Sequence, residues 1–208
     1  MQITSLKQLK TAIIIDRVMN GFYSKGIKSY MENLKLRILG DRRKDYLYHM
    51  RWCQYSCTQN NVFGKIILFY HYSMYKRLGV KLGYSIGYKS FGYGLIIPHF
   101  GTIVVNEGTN AGNYCVLHTS TCIAGSGKII GDNLYLGAGA KIIGDNISVG
   151  ANVSIGANST VTNNIRSNVL VVDTPARVIK ENYPSWWIRD GIGYQQRVQI
   201  CNSLIERI

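Results

Sequence analysis

Charged residues are scarce in this chain of 208 residues, and acidic residues are the scarcest of them. Only 17% of positions are charged, with 11 Asp and Glu against 24 Lys and Arg, while 46% are hydrophobic. Disordered chains combine low hydrophobicity with high charge, so this composition predicts a folded protein. The length fits one substantial domain, or a domain with a helical appendage.

Long apolar runs are also missing. No run approaches the roughly 18 residues that a membrane-spanning helix needs. The apolar stretch TAIIIDRVM near the N-terminus is interrupted at Asp16, which does not fit a signal peptide. We therefore expect a cytoplasmic protein.

The cysteines lack the paired spacing of a metal site. There are five, an odd number, at Cys53, Cys57, Cys115, Cys122 and Cys201. None of the intervals resembles a pair of CxxC motifs. We expect reduced and partly buried thiols, and no bound metal.

Acidic residues are most depleted in the N-terminal part. Residues 1–81 carry 15 Lys and Arg against 4 Asp and Glu, a net charge of +11, whereas residues 82–208 carry only +2. A basic surface favours anionic partners, although a solvated basic face without a partner is equally compatible. No recognisable recognition motif accompanies the charge, so we expect no nucleic-acid partner. Contact with the anionic inner face of a membrane is the hypothesis that remains.

The sequence divides into three parts. Residues 1–79 place apolar residues three and four apart, which predicts a basic α-helical region. The predicted helices are SLKQLKTAIIIDRVM, YMENLKLRILGDRRKDYLYHMRW, and NNVFGKIILFYHYSMYKRLG, the last ending near Gly79. Residues 80–173 contain many glycines and predict a series of short β-strands. Residues 174–208 predict a short extended segment and then a C-terminal helix.

The middle part has an internal repeat. An aliphatic residue followed by glycine recurs at steps of 6, 7, 6 and 6, at Ile130-Gly131, Leu136-Gly137, Ile143-Gly144, Val149-Gly150 and Ile155-Gly156. The series begins at Ile86-Gly87, passes through Ile97, Ile103 and Ile123, and continues to Val161, where Thr162 replaces the glycine. A strand sandwich would instead show period-two alternation.

A six-residue period predicts a parallel β-helix. Each unit is a short strand and a turn, with its aliphatic side chain pointing into a narrow core. Three units close one coil of about 18 residues, and successive coils stack through parallel hydrogen bonds. Residues 82–172 would form about five coils. The fold class is therefore mainly β, with α-helical regions at both ends.

Four segments in this order resemble the hexapeptide-repeat acyltransferases, and in particular serine O-acetyltransferase and its relatives in polysaccharide gene clusters. They are PHFGTIVV (98–105), the repeat itself, LGAGAKIIG (136–144) and TPARVIK (174–180). The resemblance covers about residues 80–180. It implies a left-handed β-helix, a homotrimer with active sites between subunits, and acetyl-CoA as co-substrate without a metal.

His99 is the main candidate for catalysis. In the resembling family, the histidine of the matching segment is the general base, and an imidazole with a near-neutral pKa suits the deprotonation of a hydroxyl. A core histidine bonded to the backbone is the alternative. Because Ile97 and Ile103 are six apart, His99 falls outside the core register, which favours the catalytic interpretation.

Two departures from the family concern the acceptor. Pro98 stands where serine acetyltransferases have an aspartate that helps to hold the amino acid. The Asp-Arg-His-Pro loop of that family is also missing, since IAGSGKIIGDN (123–133) leaves no room for it. We therefore expect a sugar hydroxyl of a capsule or lipopolysaccharide-type glycan as acceptor. Serine O-acetylation is the alternative, and a non-catalytic β-helix scaffold is a further one.

The remaining candidates are carried over from the resemblance or from their position. His118 lies one coil plus one residue after His99 and should stack near it, either to contact the acceptor or pantetheine or simply as a corner residue. Glu107 and Asn106 could orient His99 or contact the acceptor, or form a solvated turn. The residues that match coenzyme A contacts are Ala138, Ala157, Thr162, Arg177 and Lys180. For the two alanines, the demand of the repeat for small residues is the alternative explanation.

Overall fold

The computed structural model describes residues 2–22, 31, 34–36 and 38–208. Three helices come first: α1 (Leu6–Met19), α2 (Arg43–Ser56) and α3 (Val62–Leu82). The sequence signals for the first helix are confirmed, because Ser5 caps α1 and Gln8 completes a capping box with it. Asn61 caps α3 through its side chain, which accepts a hydrogen bond from the backbone of Gly64.

The predicted end of the third helix near Gly79 is wrong. The helix continues to Leu82, and Gly83, with φ +82°, provides the left-handed C-cap. Gly79 lies inside the helix, where a Cβ atom would approach the carbonyl oxygen of Tyr84 to 2.6 Å. This glycine therefore allows close packing of the helix against the first strand.

The second predicted helix, over residues 30–52, is not continuous. Helix α2 begins only at Arg43, after a break at Gly40, which has φ +76°. The carboxylate of Asp41 then accepts a hydrogen bond from the backbone of Arg43, 3.1 Å away. Residues 30, 32, 33 and 37 of the predicted helix lie outside the described residues.

The middle part forms a parallel β-helix of short strands in three sheets. The strands are β1 (Tyr84–Ile86), β2 (Ile103–Val105), β3 (Asn110–Ala111), β4 (Val116–Leu117), β5 (Thr121–Ala124), β6 (Ile129–Ile130), β7 (Tyr135–Leu136), β8 (Lys141–Ile143), β9 (Ser148–Val149), β10 (Ser154–Ile155), β11 (Thr160–Val161), β12 (Leu170–Val172) and β13 (Arg177–Lys180). Sheet 1 has the order β1-β2-β5-β8-β11, sheet 2 has β3-β6-β9, and sheet 3 has β4-β7-β10-β12-β13. All pairs are parallel except β12 with β13.

The core of the β-helix confirms the six-residue repeat with one correction. Buried aliphatic side chains fill the interior at Ile86, Ile97, Ile103, Ile123, Ile130, Leu136, Ile142, Val149, Ile155 and Val161. Ile143, which the repeat placed inside, is 40% exposed, and its neighbour Ile142 is fully buried instead. The seven-residue step therefore lies between Ile142 and Val149, where the extra residue is accommodated in a turn.

The C-terminal segment returns along the β-helix to the first helix. After β13 come α4 (Trp186–Arg189) and α5 (Ile192–Ile205). The buried indole of Trp186 donates to the carbonyl of Tyr114 at 2.8 Å, and Asn202 in α5 accepts from the Tyr114 hydroxyl at 2.6 Å. Side chains of α1, sheet 3, α4 and α5 thus share one apolar cluster.

A buried ion pair joins the helices to the first coil. Arg51 and Asp16 form two hydrogen bonds of 2.7 and 2.9 Å, with side chains 0% and 3% exposed. The same guanidinium donates to the carbonyls of Phe91 and Gly92, at 3.1 and 2.6 Å. The pair therefore connects α1, α2 and the β-helix at a single point.

Two histidines are buried between α2 and α3. The Nδ1 atoms of His49 and His71 lie 2.8 Å apart, and the indole of Trp52 stacks on the His71 ring at 4.8 Å. One Nδ1 must accept a hydrogen bond, so at least one ring is neutral. Burial and the neighbouring His49 lower the pKa of His71 to about 4, and burial also lowers the pKa of His49.

This pair predicts acid sensitivity. A histidine whose folded pKa lies below its ordinary value of 6.5 stabilises the fold above that value and loses this contribution as pH falls towards its folded pKa. We expect about 2 to 3 kcal/mol less stability at a pH of about 4 than at neutral pH, because the unfolded chain binds the proton first. Urea unfolding at several pH values checks this, and His71→Gln should flatten the dependence. An equally steep dependence in that variant would contradict it.

None of the helices in the described ranges is long and apolar enough to cross a bilayer. All five cysteines are free thiols, and three of them, Cys53, Cys115 and Cys201, are buried.

Candidate active site

One edge of the β-helix brings the two predicted histidines and the two predicted alanines together. It is the column of turns through which each coil passes from sheet 3 to sheet 1, and it contains His99, His118, Ala138 and Ala157. Backbone hydrogen bonds stack these turns, including Gly139 N to Thr119 O at 3.0 Å and Asn158 N to Ala138 O at 2.9 Å. We call this column the histidine edge.

His99 lies at the first turn of the histidine edge and faces outward. It is exposed, whereas Ile97 and Ile103 on either side are fully buried, so the prediction that His99 lies off the core register is confirmed. Gly101 follows with φ +136°, and a Cβ atom there would lie 2.4 Å from the Thr119 hydroxyl. Glycine at this position therefore lets the turn of His99 stack closely on the turn of His118.

His118 stacks near His99, as its spacing predicted. The ring centroids of the two imidazoles are 6.4 Å apart, and the Tyr135 ring lies 5.0 Å from His118 on its other side. Burial lowers the pKa of His118, the nearby His99 lowers it further, and Asp190 opposes both effects. His118 is therefore neutral at neutral pH and places no positive charge beside His99.

The helical region anchors the turn that carries His99. The guanidinium of Arg43 donates to the carbonyls of Ile97 (3.1 Å) and Pro98, and it also pairs with Asp41 at 2.6 Å. Burial acts to raise the pKa of Asp41, but the hydrogen bonds from Arg43 hold it below its usual value. Asp41 and Arg43 therefore both stay charged at neutral pH.

Two further groups hold the same strand and turn. The Tyr84 hydroxyl donates to the carbonyl of His99 at 2.7 Å, and burial raises the pKa of Tyr84, which keeps that proton in place. Asn20, at the end of α1, accepts from the backbone of Ile97 at 3.1 Å and donates to the carbonyl of Leu95 at 2.8 Å. The backbone leading into His99 is therefore fixed from two helices and a strand.

The C-terminal segment also contributes residues to the site that were not predicted from the sequence. The guanidinium of Arg189 lies 5.6 Å from the ring of Tyr135, donates to Ser154 at 2.9 Å, and is followed by Asp190, which acts electrostatically on His118. The period of the repeat is a sequence signal that could have placed Tyr135 on the outer face of sheet 3. Nothing in the sequence signals the approach of Arg189 and Asp190, because they arrive through α4 from outside the repeat.

Three of the five predicted coenzyme contacts, Ala138, Ala157 and Arg177, lie along the histidine edge or at its end, whereas Lys180 pairs with Leu170 at the other end of β12. Ala138 and Ala157 are exposed there. Coils stack about 4.8 Å apart, so His99 and Ala157, three coils apart, are separated by about 14 Å. The chain leaves the last coil next to Ala157, where Ala176 N donates to Thr160 O at 2.8 Å, and enters β13, which begins at Arg177 and ends at Lys180. Both basic residues are exposed.

Thr162, Asn106 and Glu107 also lie away from the histidine edge. Thr162 follows β11 and is therefore across sheet 1 from the histidine edge. Asn106 and Glu107 follow β2, at the opposite end of that strand from His99, so this chain does not bring them to the imidazole. The Asn106 side chain accepts from Gly108 N at 2.8 Å, and Glu107 lines an open groove beside α3.

In the described part of the chain, no group of three or more His, Cys, Asp or Glu is arranged to hold a metal ion. The histidine edge therefore offers an exposed imidazole at one end of a row of small residues, with the guanidinium of Arg177 at the other end.

Comparison with known proteins finds similarity to serine acetyltransferases. No family model matches the chain. A serine acetyltransferase of Synechococcus elongatus is 39% identical in an alignment of 128 positions that covers 56% of this chain and 51% of that protein. The chain thus spans about half the length of the curated relative it matches.

Solved structures confirm the fold. The serine acetyltransferase of Neisseria gonorrhoeae has a TM-score of 0.60 at 23% identity, over 84% of this chain and 66% of that one. The serine acetyltransferase of Brucella abortus, solved in complex with coenzyme A, has a TM-score of 0.56 at 22% identity, over 85% and 68%. The chain therefore resembles serine acetyltransferases and has a β-helix like theirs, with helices at both ends.

Proposed function

We propose that this chain is an acetyl-CoA-dependent O-acetyltransferase in which His99 is the general base. The observation that carries the proposal is the histidine edge, where an exposed imidazole with a fixed backbone lies in line with the small residues Ala138 and Ala157. The similarity to a curated serine acetyltransferase supports the same activity. A scaffold would have no need of an anchored, exposed histidine.

The reaction proceeds by direct transfer. The Nε2 or Nδ1 atom of His99 accepts the proton of the acceptor hydroxyl as the hydroxyl oxygen attacks the thioester carbonyl carbon. The carbon–sulfur bond of the tetrahedral intermediate then breaks, and the coenzyme A thiolate takes the proton from the imidazolium. A backbone N–H facing the cleft would stabilise the oxyanion. No covalent enzyme intermediate is needed.

The donor would lie along the histidine edge. Coenzyme A carries a long pantetheine arm rich in amides, which suits the exposed backbone beside Ala138 and Ala157. Arg177 at the far end would pair with its phosphates. Thr162 and Lys180, which the resemblance also assigns to the coenzyme, lie away from this edge and have no part in this placement. The coenzyme A complex of the Brucella abortus enzyme shows that a related β-helix takes this ligand.

L-serine is the acceptor that we place first. The glycan acceptor that we expected from the sequence finds no support among the relatives, which are serine acetyltransferases, so the serine alternative fits better. A sugar hydroxyl remains the second candidate because of one specific observation. Pro98 cannot supply the carboxylate that its position has in serine acetyltransferases, and the chain also lacks their Asp-Arg-His-Pro loop.

A homotrimer is part of the proposal. The resemblance implies active sites between neighbouring subunits. The predicted acceptor contacts of Asn106 and Glu107 require such a neighbour, since both residues lie across β2 from His99 of their own chain. His118 is the predicted acceptor contact that lies beside His99 in the same chain.

Release of free thiol from acetyl-CoA tests the function and the acceptor together. The purified full chain is offered L-serine, and separately a panel of sugars and oligosaccharides. The proposal expects turnover with at least one hydroxyl acceptor and the highest kcat/KM with serine. Turnover with sugars alone would replace serine by the second candidate. No turnover and no binding of acetyl-CoA would support the scaffold instead.

Arg43 should matter for catalysis although it lies outside the repeat. Without its guanidinium, the carbonyls of Ile97 and Pro98 lose their donor and the turn of His99 loosens. We expect Arg43→Ala to lower kcat about tenfold with little change in the affinity for acetyl-CoA, because small displacements of a catalytic group are costly.

The adjacent Arg42 is the matched control for this prediction. It forms a surface ion pair with Asp45 at 3.0 Å and does not contact the turn. Arg42→Ala should leave kcat unchanged. Equal kcat values for the two variants would contradict the positioning role of Arg43.

A further inference from the structure

Helix α3 is apolar on the face opposite the protein interior. Its inner face is formed by Gly64, His71, Tyr75, Leu78, Gly79 and Leu82. On the opposite face, Val62, Ile66, Phe69 and Val80 recur at helical spacing and are 70%, 59%, 76% and 86% exposed. Phe63 and Tyr70 flank this row and are also exposed. We call these six residues the α3 outer face.

The cations around the α3 outer face have no acidic counterpart on the helix. Lys65, Lys76, Arg77 and Lys81 are all exposed, and α3 contains no Asp or Glu. The helix belongs to the part of the chain, residues 1–81, that carries the net charge of +11. The outside of the molecule therefore carries a helix face that is apolar and flanked by cations, with Glu107 of the neighbouring turn as an acidic group in the groove beside Lys65 and Phe69.

We propose that the α3 outer face is a docking surface for anionic phospholipid bilayers. A helix that lies in the plane of a bilayer buries large apolar side chains at the boundary between headgroups and acyl chains, while its lysines and arginines contact headgroup phosphates and carboxylates. Aromatic residues such as Phe63, Phe69 and Tyr70 suit this boundary. Binding would be peripheral and reversible, and it does not depend on the proposed acetyl transfer.

The charges argue against face-to-face packing with the α3 outer face of a second copy of this chain. Two α3 outer faces packed together would bring two sets of four cations close to each other, with no acidic residue on either helix to offset the repulsion. A soluble polyanion would satisfy the cations but leave Phe63, Ile66 and Phe69 in water. An anionic bilayer satisfies both the charges and the apolar side chains.

Co-sedimentation of the full chain with lipid vesicles tests the proposal. We expect binding to vesicles of phosphatidylcholine mixed with phosphatidylserine at low salt, weaker binding at high salt, and much weaker binding to phosphatidylcholine alone. The triple variant Phe63→Ser/Ile66→Ser/Phe69→Ser should bind at least about tenfold more weakly, because it removes most of the buried apolar area.

A matched control uses exposed apolar residues outside α3. Ile192 and Ile200 in α5 are 73% and 52% exposed, and the variant Ile192→Ser/Ile200→Ser should bind vesicles like the wild type. Circular dichroism checks that both variants are folded. We expect both to fold because every substitution is on the surface.

Three outcomes would overturn the proposal. The first is a wild-type chain that ignores anionic vesicles at low salt, and the second is a triple variant that binds them as tightly as the wild type. The third is a smaller solution mass for the triple variant than for the wild type by light scattering, which would assign the face to a second copy of the chain.

Discussion

Replacing His99 with alanine should lower kcat by roughly a hundredfold to ten-thousandfold, the usual contribution of a general base. The imidazole is exposed and lies outside the core, so the loss should come from chemistry and not from unfolding. Thiol release from acetyl-CoA at saturating acceptor measures it. The acetyl-CoA affinity should stay close to that of the wild type, because the donor contacts Ala138 and Ala157 lie two and three coils away.

The control for this variant is its stability towards urea. His99→Ala should unfold at the same urea concentration as the wild type, since its side chain fills no cavity. A folded His99→Ala enzyme with full activity would remove His99 from its role and leave His118, the next imidazole on the histidine edge, as the remaining candidate. A variant that unfolds early would instead point to the core-histidine interpretation.

The largest effect on stability is expected at Asp16. Asp16→Asn keeps the shape of the side chain but leaves the guanidinium of Arg51 buried without its counter-charge, and Arg51 is fully enclosed between α1, α2 and the first coil. Removing one member of a buried ion pair typically costs about 3 to 5 kcal/mol. Chemical unfolding at neutral pH measures the loss.

An exposed ion pair provides the comparison. Arg166 and Glu181 are paired on the surface with side chains 62% and 66% exposed, and Glu181→Gln should change the unfolding free energy by less than about 1 kcal/mol. The double variant Asp16→Leu/Arg51→Met should recover part of the loss, because it removes both buried charges. A cost for Asp16→Asn as small as that for Glu181→Gln would mean that the pair does not hold the helices to the β-helix.

The β-helix was predictable because its signal is local and repeated. One aliphatic position in every six residues must face the core, and the buried row from Ile86 to Val161 follows directly. The error at Ile143 has the same origin. Ile142 and Ile143 are both aliphatic, and only the pairing of Ile142 with Ile123 and Val161 in sheet 1 decides which of them points inward.

The helix boundaries were harder to predict because the deciding contacts are distant in sequence. Gly79 and Gly83 are equally good stop signals by residue type. Gly79 remains helical because the carbonyl of Tyr84 packs against it, whereas Gly83 takes the left-handed conformation. The break before Arg43 is likewise accompanied by contacts of Arg43 with Ile97 and Pro98, more than fifty residues away.

The same distinction between local signals and distant contacts applies to the residues of the site. The proximity of His99 and His118 could be predicted because the repeat sets their spacing, and the structure places their rings 6.4 Å apart. The choice of His99 as the base came from the resemblance of its segment to the family. Arg43, Tyr84 and Asp190 could not be predicted, because each reaches the histidine edge from a different element. The roles of the donor and acceptor residues stay predictions, including those of Asn106 and Glu107.

The acetyl-CoA affinity of Ala138→Trp tests the central claim most directly. The indole would fill the histidine edge between His118 and Ala157, where the donor must lie, and the position is exposed, so the fold should tolerate it. Ser148→Trp adds the same bulk on the outer face of β9, away from that edge. Titration calorimetry should show wild-type affinity for Ser148→Trp and at least about a tenfold loss for Ala138→Trp. Wild-type affinity in Ala138→Trp would contradict the assignment of the histidine edge as the donor site.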